Sequence, residues 1–421
     1  MNQVAIALTR ACWAFGLRVY VGMSPRRRST WVETPVSYLY PVDLPASSGA
    51  RIRQVLGILP ELEHNLQRKT GKPLRLSFNG RPPYIELHKT KPEPLGLPRD
   101  VLERVPDGCG VVGKSFGLAE TVVQGIRLSD PETAHVLFAG TTGSGKTVAM
   151  QAFLTSLSYS TPNARFYFVD LKNRGLADLA DLPQVAAFAS APEEAARIVK
   201  FVRDEVDRRV QSRDTETRVV LAIDELAEFA AAGIRETFEQ NFPTIARLGR
   251  ELNVHLVATA QKPEASQLGG QLLQQFGARV VGRLRTARES SEILGRSDTG
   301  AEFLPGKGAM LYIKGGDDPI RVQAFLPDLP KVKQMVPHRR VDPLLLEPEV
   351  VDSRPKVMGK FPVDDDVQKL RDVYRQFLQP DGSLRRGARS RMASALGSDY
   401  GGSTITRIDK AIQVLSRETI A

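Results

Sequence analysis

A chain of 421 residues, 42% apolar and 25% charged, has the make-up of a folded globular protein with several domains, which excludes a mainly disordered chain or a lone motif. Its 58 Lys and Arg against 48 Asp and Glu give a formal charge of +10, which favours a polyanionic partner. Cys12 and Cys109 are too few for a disulfide framework, and His64, His88, His135, His255 and His338 lack metal-ligand spacing. A reducing, cytoplasmic setting without a zinc site is expected.

Residues 1–30 carry apolar stretches interrupted by Arg10 and Arg18, and no run in the chain is long enough for a membrane helix. Two readings stand for residues 4–22: an amphipathic surface or partner helix, or an ordinary partly buried one. A basic joint, Ser24-Pro25-Arg26-Arg27-Arg28, closes this segment. Residues 31–112 read as a small α/β domain. Its strands are expected at 36–42, 74–78 and 84–87, around one helix at 49–69 that presents Ile52, Val55, Leu56, Leu59, Leu62 and Leu66 on one face. Pro60 is a point where that helix could break.

Residues 113–327 alternate strand and helix signals, the pattern of an α/β domain on a mostly parallel sheet. Strands are expected at 165–170, 219–224, 254–260, 278–284 and 309–313, with a helix opening at Pro192 and keeping Ile198, Val199, Val202, Val206 and Val210 on one face. The proline-rich stretch 328–362 reads as an extended linker. Residues 363–421 read as a module of three helices, at 367–378, 388–396 and 403–416.

Within the α/β domain, Gly140-Thr141-Thr142-Gly143-Ser144-Gly145-Lys146-Thr147 matches the phosphate-cradling loop pattern G-x-x-x-x-G-K-[ST]. An apolar strand precedes it and a helix follows it, as the chemistry requires. The glycines let backbone N–H groups approach phosphates, Lys146 would neutralise the β and γ phosphates, and Thr147 would offer a hydroxyl to Mg²⁺. Some 80 residues on, Val220-Leu221-Ala222-Ile223 ends in Asp224-Glu225. Two acids at a strand tip beside such a loop fit a division of labour, Asp224 holding the Mg²⁺ shell and Glu225 activating water. Gln261, at the tip of the following strand, reads as the γ-phosphate sensor. Arg250, or alternatively Arg247, is placed to act as an arginine finger in a neighbouring subunit, and a plain surface arginine remains a third reading.

These words resemble the FtsK/SpoIIIE family of DNA translocases, within the wider FtsK–HerA group. The matched blocks are residues 135–147, 223–228, 250–263, Glu292-Ile293-Leu294-Gly295 and 306–312, in the family's order. The resemblance covers about half the chain and implies a RecA-like P-loop motor preceded by a small α/β domain. A C-terminal helical, winged-helix-like module would follow. It further implies ATP and Mg²⁺ as cofactors, double-stranded DNA as partner and a homo-oligomeric ring, a hexamer in this family. Lys172 matches a family lysine, and pore contacts fall by analogy at residues 230–242 and 262–271. Lys262 stands where the family usually has Arg, which keeps charge and loses the planar fork.

The membrane region and long linker of the chromosome-segregation members are not visible. The expectation is therefore a compact, soluble translocase like those of plasmids, integrative elements or phages, with a membrane or transfer-machinery partner as a further expectation. Arg385, Arg386, Arg389 and Arg391 suit either a DNA reader or a basic tail used in subunit packing. Two other functions stay open: an ATPase of protein secretion, indifferent to DNA, and a non-enzymatic DNA-binding regulator. The intact set Lys146, Asp224, Glu225 and Gln261 speaks against the regulator.

Overall fold

The structure, a computed structural model, describes residues 2–22, 31–44, 49, 51–70, 76–79, 83–89, 93–118, 120–261, 270–297, 299–336, 363–379, 384, 388–396, 408, 409, 412 and 415. These fall into two units, Met1–Leu346 and Glu347–Ala421.

The first unit opens with a small antiparallel sheet. Its strands are β1 (Tyr20–Val21), β2 (Val32–Glu33), β3 (Ser37–Asp43), β4 (Leu76–Asn79) and β5 (Tyr84–His88). They run in the order β1-β3-β5-β4, with β2 also paired to β3. Helices Asn2–Ala14 and Leu59–Thr70 cover the sheet, and Ala5, Leu8, Cys12, Leu59, Leu62 and Leu66 share one core with Tyr40 and Ile85. The first helix is thus partly buried and integrated with the strands that follow, while Ile6 and Trp13 remain exposed on it. The helix expected at 49–69 divides at Ile58 into Ile52–Gly57 and Leu59–Thr70. Pro60 sits in the first turn of the second piece, where its missing N–H costs nothing.

The second sheet of this unit holds β6 (Cys109–Phe116), β7 (Thr121–Arg127), β8 (Val136–Ala139), β9 (Arg165–Val169), β10 (Val185–Ala189), β11 (Val219–Ile223), β12 (Val254–Ala260), β13 (Ala278–Val281), β14 (Ala309–Lys314) and β15 (Ile320–Ala324). Its order is β10-β9-β11-β12-β8-β13-β14-β15-β6-β7. From β10 to β13 neighbours are parallel, and from β13 to β7 antiparallel. Since β6 begins at Cys109, residues 109–112 belong to this sheet and not to the small domain in which the sequence reading put them.

The parallel strands are apolar throughout because both of their faces are covered. On β11, Val219, Leu221 and Ile223 meet Ile198, Val202 and Phe242 from helices Pro192–Ser212 and Arg235–Leu248. Val220 and Ala222 face the opposite core, with Met150 and Phe153 of helix Lys146–Ser160. The strand tips therefore form a rigid edge on which loops can place chemistry.

At the end of the α/β region the expected extended linker begins as a helix, Leu329–Met335. The Asp328 side chain accepts from the Lys331 N–H, Pro330 occupies the first turn, and Val332 and Val336 are buried. The remainder, 337–362, lies outside the described residues. In the second unit, helices Val363–Phe377 and Ala388–Ala395 pack through Leu370, Tyr374, Met392 and Ala393, joined by Ile408 and Leu415. Most of the third expected helix, 403–416, lies outside the described residues, as do Arg385 and Arg386; Arg391 is exposed.

Candidate nucleotide-binding site

The loop 140–145 connects β8 to helix Lys146–Ser160, so that helix N-terminus points its free N–H groups into the loop. Gly140, Gly143 and Gly145 all have positive φ. Gly145 has a second reason to lack a side chain: a Cβ there would lie 2.6 Å from the Gly308 nitrogen. Gly308 N–H donates to the Ser144 carbonyl at 2.8 Å and Lys307 N–H to the Gly143 carbonyl at 3.2 Å. The segment Gly306-Lys307-Gly308, with φ of 82°, 53° and 83°, is thus a brace clamped across the loop. In the sequence this block stands out only as a matched word; in the structure it forms this clamp.

β12 lies between β11 and β8, which brings Gln261 and the Asp224-Glu225 pair against the loop, as expected for the sensor strand. Thr259, two residues before Gln261, organises both acids. Its hydroxyl donates to Asp224 Oδ1 at 2.8 Å and accepts from the Glu225 N–H at 2.9 Å. The Gln261 N–H donates to Glu225 Oε1 at 3.0 Å, and the Thr142 hydroxyl donates to Gln261 Oε1 at 3.3 Å. Thr259 is absent from the expected site residues, although a lone hydroxyl near the end of an apolar strand beside the sensor is a usable signal.

Glu225 is held in a strained state. Its φ is 66°, a left-handed value costly for a side-chain-bearing residue. Its Oε2 is buried with no hydrogen-bond partner among the described residues and stands 3.9 Å from Lys146 Nζ. Burial pushes the pKa of Glu225 up, against the lowering effect of the Gln261 N–H and Lys146; burial likewise raises Asp224. A carboxylate so placed can accept a proton from water more readily than an exposed one.

Around Asp224 the loop after β9 is tied down by Asp170, whose carboxylate accepts from the N–H groups of Lys172, Arg174 and Leu176 at 3.2, 2.8 and 2.9 Å. This brings Gly175 so close that a Cβ would lie 2.6 Å from Asp224 Oδ2 and 2.7 Å from Thr147 Cγ2. Asp224 Oδ2 and the Thr147 methyl therefore lie close together against Gly175, and the two residues carry a carboxylate and a hydroxyl, the hard oxygen donors that suit Mg²⁺. Lys172 pairs with Glu228 at 2.7 Å.

Not every expected residue joins this cluster. Arg250 lies in the short helical turn Gly249–Leu252 that leads into the amino end of β12, and both Arg250 and Arg247 are exposed there. The whole of β12 separates them from Gln261, roughly 20 Å of extended chain. Neither touches this site. Residues 230–242 are largely helical, in Glu228–Ala231 and Arg235–Leu248, with Phe238 and Phe242 buried. Most of 262–271 lies outside the described residues.

Residues 104–297 match the FtsK/SpoIIIE family model, and the loop, the paired acids and Gln261 all lie within the matched segment. A DNA translocase FtsK of Helicobacter pylori is 30% identical over 227 residues, 48% of this chain and 26% of the relative. A second, from Caldanaerobacter subterraneus, is 27% identical over 308 residues, 68% of this chain and 43% of the relative. The chain therefore spans well under half the length of these curated relatives. Among solved structures, the pCW3 conjugation coupling protein TcpA with ATPγS matches with a TM-score of 0.51 at 20% identity, over 79% of this chain and 98% of that one. That likeness is one of fold.

Proposed function

We propose that this protein is an ATP-driven translocase of double-stranded DNA that works as a ring of identical subunits. The observation that carries the reading is the convergence of Lys146, Glu225 and Gln261 at one edge of the sheet, inside the segment matched by a DNA-translocase family.

In this reading the backbone of 140–147 and Lys146 bind the triphosphate, and Glu225 Oε2 takes the proton of the attacking water. Gln261, fixed between Thr142 and Glu225, reports the γ-phosphate to the acid. Thr147 and Asp224 are the residues that would hold Mg²⁺, which supplies charge neutralisation on the β and γ phosphates. Arg250, remote from its own site, is assigned to a neighbour's, and this assignment is the reason to propose a ring, a hexamer by analogy with the family. The net charge of +10 suits a DNA partner. No described helix is long and apolar enough to cross a membrane, and recruitment by a membrane or transfer-machinery partner is proposed for DNA transfer of a plasmid, integrative element or phage.

The test is steady-state ATP hydrolysis at low salt, with and without linear duplex DNA of increasing length, because phosphate contacts weaken steeply as salt rises. Stimulation that grows with DNA length is expected. Hydrolysis indifferent to DNA would replace this reading with a secretion-type motor, and no hydrolysis in either condition would contradict the enzyme assignment.

A further inference from the structure

On the flank of the phosphate loop opposite Gln261, β13 ends and the chain continues through Gly282 and Arg283. The Arg283 carbonyl accepts from both the N–H and the hydroxyl of Thr141, at 2.9 and 3.0 Å, and the Gly282 N–H donates to the Ala139 carbonyl at 2.8 Å. Arg283 is therefore fixed to the loop by its backbone. Its side chain is half-buried, and its guanidinium has neither an ion pair nor a hydrogen bond among the described residues. A cavity of about 430 Å³ opens there, walled by Thr141, Thr142 and Ser144 on one side and Arg283, Arg285 and Gly306 on the other. Ser144 Oγ, buried in this wall, is also without a hydrogen-bond partner among the described residues.

A half-buried guanidinium without an ion pair among the described residues is a costly arrangement unless an anion completes it. Thr142 belongs to the cavity wall and also donates to Gln261, so one residue of the loop joins the cavity to the residue read as the γ-phosphate sensor. We propose that Arg283 is a cation supplied by the same chain to the terminal phosphate of the bound nucleotide, and that this cavity distinguishes a triphosphate from a diphosphate. The inference rests on the nucleotide-site reading above and adds a residue that none of the matched motif words contains. Arg283 thereby differs from Arg250 in kind: Arg283 serves its own site, Arg250 a neighbour's. Arg285, exposed on the rim, is the natural comparison.

The test measures binding of fluorescent ATPγS and fluorescent ADP by the full chain with Mg²⁺, for the wild type and for Arg283→Ala, Arg283→Lys and Arg285→Ala. Loss of a charge-assisted phosphate contact should weaken ATPγS binding by about tenfold in Arg283→Ala and change ADP binding by less than about twofold. Arg283→Lys should recover part of the ratio and Arg285→Ala should keep it. A merely structural arginine would lower both affinities by the same factor. That result, or an unchanged ATPγS/ADP ratio, overturns the proposal. Where Arg283→Ala fails to fold, Arg283→Lys carries the test: a reduced ratio supports the proposal and an unchanged one overturns it. A wild-type chain that binds neither nucleotide overturns the site reading itself, and this inference with it.

Discussion

The two ends of the parallel strands are built on opposite rules. At the amino ends of β8, β11 and β12, buried polar groups are closely partnered. His135 Nε2 contacts the Ala246 carbonyl at 2.8 Å while its Nδ1 accepts from the Leu256 N–H at 2.9 Å. Arg209, 2% exposed, donates to Glu205 and to the carbonyls of Thr217 and Leu252. Arg218 reaches Asn253 at 3.1 Å. At the carboxyl ends, among the described residues, Glu225 Oε2 and Ser144 Oγ have no hydrogen-bond partner and Arg283 is unpaired, and Glu225 sits at a strained φ. Burying polar atoms without partners costs stability, so the contrast separates the end that holds the fold together from the end shaped to receive a ligand.

The largest expected effect comes from breaking the receiving end at its cation. Lys146→Ala should abolish nucleotide hydrolysis, and turnover retained in that variant would remove the loop from the mechanism. Glu225→Gln should keep nucleotide binding but slow hydrolysis by about 10²–10⁴-fold, the usual value of a positioned base; a loss of binding with normal kcat would assign Glu225 to the wrong step. Arg250→Ala tests the opposite end of β12. Binding should be intact and turnover impaired only where subunits assemble, so mixing Arg250→Ala with Glu225→Gln chains should restore part of the rate. No complementation, with each variant inactive alone, would show that Arg250 serves no neighbouring site.

The smallest effect concerns the partnered end under acid. Burial depresses His135 to about 4 and His255 to about 3, from an ordinary value of 6.5. Between these values the unfolded chain binds protons that the folded chain refuses, so stability is full above pH 6.5 and falls as pH drops toward the folded pKa values. The His135 share should reach on the order of 3 kcal/mol at pH 4. Melting temperature followed from pH 8 to pH 5 should be level above about 7 and decline below about 6; a flat profile would show that the imidazoles can be protonated in the fold.

What was legible in the sequence follows the same division. The phosphate loop, Asp224-Glu225 and Gln261 were readable because each lies at the tip of a short apolar strand and carries a distinctive residue set. The parallel strands β9, β11 and β12 were readable because burial on both faces leaves continuous apolar runs. The antiparallel extension was harder. β7 is an exposed edge with only Ile126 buried, and β6 carries a register shift between Val111 and Gly113, so neither shows clean alternation. The helix Leu329–Met335 was hidden by the proline-rich composition around it, although Asp328 and Pro330 are ordinary start signals. Contacts that complete the site join residues far apart in the chain, Thr141 with Arg283 and Ser144 with Gly308, and local sequence carries no trace of them.

The central claim is that hydrolysis at the orphaned end moves duplex DNA, and displacement of a triplex-forming strand from a linear duplex tests it most directly. The account predicts displacement that requires ATP, is lost in Lys146→Ala and Glu225→Gln, and is delayed in proportion to the distance between the DNA end and the triplex. ATP hydrolysis without displacement at any distance would contradict it.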